Sequence, residues 1–445
     1  MKVARFSRIG FILAAAGSAV GLGNIWKFPY ITGEYGGGAF VLVYLFTVIL
    51  IGFSIMIAEM LIGYLGRRDT VSSFEALAPK NKNLWKFGGF QALAGLFIMI
   101  FYSVVIGWIF NYIVTSLTYL PASVKEAEVT FNTMLHADFW TQLFYHTISF
   151  LFVTYVIHKG IKGGIEKLNY YLMPALMLIL AGMFAYAVTL GGFSKAVEFM
   201  FYPDWSKLTS QAFVVAVGHA FFTLSLGMGA IMTYAASLEK GANLVKSAFW
   251  VVFLDTLIAI VAGLMLFTFL YQYGSGPAKG PGLVFISLPA AFYEMGVLGN
   301  VFAVLFFIAL AFAGLTSSVS LVEPMVQYFI DRFNWSRLKS SLAMGFFFWF
   351  LGIFAILSNI DGAKELLTWG GKSFFDWVDY FTAAVMLPFG GLIMAVFVGY
   401  VIPESEVQRV VKPQLKWAYK PWYFSLRYIT PVAMFVVMLS LMGVF

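Results

Sequence analysis

Three stretches place glycines and polar side chains inside runs that are otherwise strongly apolar: GSAVGLGN at 17–24, FTLSLGMG at 222–229 and AFAGLTSS at 311–318. Their hydroxyls, amide and main-chain carbonyls are hard oxygen donors, suited to small alkali or alkaline-earth cations rather than thiolate-seeking metals. Where glycines interrupt an apolar helix, the half that ends there presents carbonyl oxygens fit for a cation such as sodium. The half that begins there presents amides and the positive end of a helix dipole, fit for a carboxylate. Gly21 and Gly23 allow close backbone approach, and Asn24 adds a neutral side-chain oxygen. Small residues in membrane helices more often serve close packing. Two such segments, each with hydroxyl or amide side chains, favour a binding site over packing. In the third, Thr316, Ser317 and Ser318 follow a glycine, whereas isolated membrane hydroxyls usually bond back to their own helix. Asp255 stands alone in FWVVFLDTLIAIVAG, and an ionisable residue at that depth is a functional candidate by default.

The elements that must position these residues are membrane helices. The chain has 445 residues, 61% hydrophobic and 11% charged, with a mean hydropathy of +0.86, which is the composition of a multi-spanning membrane protein. Apolar stretches of about 20 residues fall at 8–30, 38–64, 85–120, 139–157, 164–190, 209–237, 243–273, 298–331, 340–358, 374–402 and 422–444. That makes an all-α polytopic chain of eleven spans in a single domain, 1–445, its first apolar stretch read as a span and not as a cleaved leader. The net charge of +7 comes from basic residues in alternate short loops, so it reports topology rather than nucleic-acid binding. The positive-inside rule puts the N-terminus in the cytoplasm and, after eleven crossings, the C-terminus outside. The absence of cysteine excludes disulfides and thiolate sites. The glycine-broken spans are the first and the sixth. Spans 1–5 (8–190) and 6–10 (209–402) therefore read as inverted repeats, with 422–444 outside them, and matched broken spans point to a central transport site.

Five motifs together resemble the neurotransmitter:sodium symporter family, which has the leucine-transporter fold: GSAVGLGNIWKFPY at 17–30, YGGGAF at 35–40, FFTLSLGMGAIMTY at 221–234, AGLTSS at 313–318 and RYITP at 427–431. The resemblance implies two sodium sites. The first would use Ala19, Asn24, Thr223, Asp255 and the carboxylate of an amino acid substrate. The second would use the carbonyls of Gly17, Val20 and Ala313 with the hydroxyls of Thr316 and Ser317. The substrate carboxylate would meet amides near Leu22 and Gly23 and the Tyr102 hydroxyl. Its ammonium would meet carbonyls around Ala19, Phe222 and Thr223, with Ser225 close by and Ser317 at the margin. Ser18, Ile98, Tyr102, Phe222, Met228 and Leu321 would line the side-chain pocket. No charged residue is among them, so a large apolar or aromatic amino acid is the expected substrate.

Departures from the family pattern carry further expectations. Asp255 stands where the family has a sodium-ligating asparagine, and Ala259 where animal members have a chloride-associated serine, so no chloride requirement is expected; Asp255 is also a candidate to take a proton on the empty return step. Lys27, usually arginine, is expected to pair with Asp379 as the outer gate, without arginine's two-pronged bond; a snorkelling lysine is the alternative. Asp331 resembles the inner-gate acid, with Lys2 or Arg5 as its partner. Glu59 is expected to brace the unwound part of span six. Gly164 and Pro174 give part of span five the means to unwind and hydrate the inward-facing sodium site, with a plain proline kink as the equal alternative. His219 reads as structural rather than proton-coupled. The function expected is symport of sodium and an amino acid by alternating access, in a bacterial inner membrane, by a monomer or loose dimer. A sensor, receptor or channel of the same fold is the rival. An intramembrane enzyme ranks last, because the four histidines are scattered and no metal-ligand spacing appears.

Overall fold

The computed structural model describes residues 6–273 and 282–444. It is helical almost throughout; the exception is a two-stranded hairpin, Thr368–Trp369 against Lys372–Ser373. Eight helices are long and apolar enough to cross a membrane, and the bent pair Arg8–Ala19 and Gly23–Glu34 makes a ninth. The other two stretches expected to span are helical at Phe139–His158 and in the pair Ser210–Thr223 and Ala230–Ala236, outside the nine long and apolar enough to cross. The first of these is diluted by His146, Gln142 and several threonines. The second is divided into two pieces, each too short to span alone. The last helical run begins earlier than 422, extending over Glu404–Leu441.

Both expected breaks are present. The first span leaves the α-helix at Val20, whose ψ is 98°, resumes with a π-helical turn at Gly23–Lys27 and bends by 45°. The sixth span ends at Thr223 and restarts at Ala230, with Ser225, Gly227 and Gly229 at φ of 53°, 77° and 74°. Left-handed backbone is open to glycine and costly for serine. Ser225 is held there by its hydroxyl, which donates to the Ser18 carbonyl at 2.6 Å. That bond ties one break to the other.

In span five the segment with the means to unwind is wound. Gly164 lies in a π-helical turn, Ile161–Glu166, and the α-helix Lys167–Val188 then runs through Pro174. A Cβ at Gly164 would approach the Val156 carbonyl to 2.0 Å, so the glycine serves a close crossing with span four. The first and sixth spans, with Leu93–Ser116 of span three and Val297–Phe333 of span eight, line the central pocket, and Leu244–Gln272 brings Asp255 beside it.

Candidate functional site

All twelve residues expected around a substrate line one central pocket, which also takes in Gly21. They converge because the two breaks face each other across the pocket, while Ile98 and Tyr102 project from span three and Ser317 and Leu321 from span eight. Leu22 N–H donates to the Tyr102 hydroxyl at 3.3 Å. The pocket volume is only about 20 Å³, the room of a water molecule, so its walls must part before a large side chain can enter. Phe222 also lines a second chamber of about 210 Å³, together with Lys27, Tyr30, Glu34, Tyr35 and His219. It is the partition between the two.

Beside the pocket, the Asn24 amide donates to Asp255 Oδ1 at 2.7 Å and to the Asp255 carbonyl at 2.9 Å. Thr223 donates to the same Oδ1 at 2.9 Å, and Asn24 Oδ1 accepts from Gly21 N–H at 2.9 Å. Asp255 is fully buried and its Oδ2 accepts no hydrogen bond of good geometry, although the Tyr44 hydroxyl lies close enough to interact with the carboxylate. Two of the side chains expected at the first sodium site, Asn24 and Thr223, thus meet on the third, Asp255, and Ala19 lines the adjoining pocket. A buried carboxylate oxygen without a donor is costly and well suited to a cation. Tyr44, whose hydroxyl is also buried beside Asp255, Thr223 and Thr256, was not singled out from the sequence, where it is one aromatic among 84 (Phe 49, Tyr 23, Trp 12).

On the other side of the first break, the Ser317 hydroxyl lies 3.2, 3.1 and 3.4 Å from the carbonyl oxygens of Gly17, Ser18 and Val20. One hydroxyl has one hydrogen, so at least two of those approaches are oxygen against oxygen. Thr316 bonds back to its own helix, at 2.9 Å to Phe312 and 3.0 Å to the Ala313 carbonyl, the ordinary use of a membrane threonine; the second bond still brings its hydroxyl to Ala313. This cluster gathers hard oxygens of the kind that suits a sodium ion, the Ser18 carbonyl among them also accepting from Ser225 at 2.6 Å. Ser18 also donates to Ser320 at 2.7 Å, one helical turn below Ser317, a contact with no sequence signal beyond its spacing.

The supporting residues divide. Glu59 is fully buried and accepts from Gly227 N–H and Met232 N–H, each at 3.3 Å, so its carboxylate spans the second break. Lys27 does not close an ion pair with Asp379. Asp379 acts on it electrostatically, but the ammonium instead sits 4.6 Å from the Phe222 ring centroid, and the expected outer salt bridge is absent among the described residues. A lysine's point charge suits a ring face as well as a carboxylate. Asp331 accepts from Asp69 N–H at 3.1 Å and Gln327 at 2.7 Å; its expected partners Lys2 and Arg5 lie outside the described residues. His219 is buried between Phe28 and Tyr44, at 6.0 and 5.4 Å between ring centroids.

Facing broken helices with cation-type oxygens on one side and main-chain amides turned to the pocket on the other define a polytopic secondary transporter. The match to known proteins agrees. The Sodium:neurotransmitter symporter family model matches residues 4–138 and 134–445, and the chain belongs to that family. It is 33% identical over 447 residues to an uncharacterized sodium-dependent transporter, YhdH, of Bacillus subtilis (strain 168), covering 98% of this chain and 97% of that one. It is 34% identical over 445 residues, with the same coverage, to an uncharacterized sodium-dependent transporter of Haemophilus influenzae. A crystal structure of MhsT in complex with L-phenylalanine superposes with a TM-score of 0.90 at 41% identity, over 99% of this chain and all of that one. The protein is therefore a sodium-coupled multi-pass membrane transporter and not an enzyme.

Proposed function

We propose that the protein imports a hydrophobic or aromatic L-amino acid together with sodium by alternating access, without chloride. The observation that carries the substrate class is the pocket itself. It offers Leu22 N–H and the Tyr102 hydroxyl to a carboxylate, carbonyls at the end of a half-helix to an ammonium, and Ile98, Phe222, Met228 and Leu321 to an uncharged side chain. A charged side chain there would be buried without a partner, whereas methionine gives an adaptable wall. The phenylalanine in the MhsT complex supports the same class.

Two sodium ions enter as cargo, one at Asn24, Thr223 and Asp255 with Ala19, the other at Gly17, Val20, Ala313, Thr316 and Ser317. Asp255 supplies the negative charge that a chloride ion would otherwise bring. Substrate carboxylate and first sodium complete each other's coordination, so each raises the other's affinity by the same factor. Each charge moving inward gains about 2.3 kcal/mol per 100 mV. Residues 8–190 and 209–402 rock as inverted repeats about this centre, in a bacterial inner membrane with the N-terminus inside and the C-terminus outside. Phe222 with Lys27 forms the outer partition, and Asp331 the inner gate.

Equilibrium binding of tritiated phenylalanine, leucine, tryptophan, glycine and proline, with and without sodium, tests the reading. Sodium-dependent binding of the large apolar members is expected. A preference for glycine or proline, or binding indifferent to sodium, overturns it. Counterflow in proteoliposomes separates a carrier, which exchanges substrate, from a sensor, which only binds.

A further inference from the structure

We infer that Asn169 belongs to the second sodium site, as an oxygen on its cytoplasmic side to which the ion passes as it leaves; the inference rests on the sodium coupling proposed above. Asn169 is fully buried in span five. Its amide nitrogen donates to the Ile165 carbonyl at 2.9 Å, and this fixes which end of the amide is which, because the flipped group would set oxygen against oxygen. Oδ1 is thereby turned toward the first span, where it has no hydrogen-bond partner. It presses against Gly17 so closely that a Cβ there would fall 1.8 Å from it. Gly17 is the residue whose carbonyl converges with those of Ser18 and Val20 on Ser317. A buried amide oxygen held without a donor is costly, and one packed against the residue whose carbonyl joins that cluster has the chemistry of a hard cation ligand.

The same face of span five continues toward the cytoplasm. One turn earlier, Glu166 Oε1 accepts from Ser7 N–H at 3.3 Å and from the Ser7 hydroxyl at 2.6 Å, while Oε2 is buried and unpartnered. A Cβ at Gly10 would collide with that carboxylate, as one at Gly17 would with Asn169. Gly10 and Gly17 are seven residues apart, and Glu166 and Asn169 three, so each pair lies on one helix face. The crossing of spans one and five is therefore lined by oxygen side chains against glycine backbone. It gives the ion a graded sequence of partners: the carbonyls with Ser317, then Asn169, then Glu166.

The test is tritiated L-phenylalanine binding titrated with sodium chloride in wild type, Asn169→Ala and Asn169→Asp. Outer oxygens of a metal site typically contribute roughly 10- to 100-fold in affinity, so Asn169→Ala is expected to raise the sodium midpoint about tenfold while leaving phenylalanine affinity at saturating sodium unchanged. Asn169→Asp keeps the oxygen facing the site but turns its other oxygen on the Ile165 carbonyl; the added charge is expected to outweigh that contact and lower the midpoint below wild type. An unchanged midpoint in Asn169→Ala, or a raised midpoint in both variants, overturns the role and leaves only a packing contact. Wild-type binding that ignores sodium instead overturns the proposed function itself. Should Asn169→Ala fold too poorly to assay, the aspartate variant alone decides by the direction of its shift.

Discussion

Asn24 holds Asp255 twice, through its carboxylate at 2.7 Å and its main-chain carbonyl at 2.9 Å, so the loosened turn of the first span is pinned to the one acid in the middle of the seventh. The pinned carboxylate keeps one oxygen without a donor of good geometry, with the Tyr44 hydroxyl beside it. Asp255→Asn preserves the shape and removes the charge. The sodium midpoint for amino acid binding is expected to rise about tenfold, equivalent to about 1.4 kcal/mol, and full wild-type uptake is expected in gluconate medium. A sodium titration of each protein and a chloride-replacement uptake assay check the two halves.

Tyr102→Phe removes the side-chain hydroxyl that accepts from Leu22 N–H. A lost neutral hydrogen bond costs about 0.5–1.5 kcal/mol, so amino acid affinity is expected to fall by up to about tenfold. Thermal stability should hardly change, because the break persists through its other contacts. Isothermal binding alongside a melting curve in detergent reads both.

Glu59→Ala leaves Gly227 N–H and Met232 N–H without an acceptor in a region that water cannot reach. Each orphaned donor costs about 1–3 kcal/mol. A marked drop in melting temperature with loss of amino acid binding is expected, whereas Glu59→Gln, which retains one acceptor oxygen, should fall between.

Glu323 is fully buried and meets Arg337 at 2.6 Å, and Arg337 also donates to the Ile157 carbonyl at 2.7 Å. Arg337→Ala strands the carboxylate, a loss of about 3–5 kcal/mol for a buried pair broken on one side. Replacing both residues by apolar ones of similar volume is expected to recover most of the stability. Denaturation midpoints of the single and double variants compare them directly.

Met228→Phe stiffens and enlarges one wall of a pocket already near 20 Å³. Tryptophan affinity is expected to fall more than leucine affinity, by about 1–3 kcal/mol for an overpacked site. Competition between the two amino acids against tritiated leucine measures the difference.

The sequence determined the membrane class, the two broken spans and the residue types at the centre. Those features are local: hydrophobic length, glycine in apolar runs, and hydroxyls or an acid at a depth where unpaired polar groups are costly. The spans at Phe139–His158 and in the sixth position were legible as apolar runs, although neither is long and apolar enough as a single helix. What the sequence could not decide was partnership across distance. Lys27 takes Phe222 rather than Asp379, Thr316 turns back to its own helix while Ser317 collects three carbonyls, and Gly164 and Pro174 remain wound. Asn169 and Tyr44 gained meaning only when the helices around them were packed. A side chain's choice among partners turns on differences of an ångström and about 1 kcal/mol, and those are fixed by how the spans cross, not by the order of residues within any one of them.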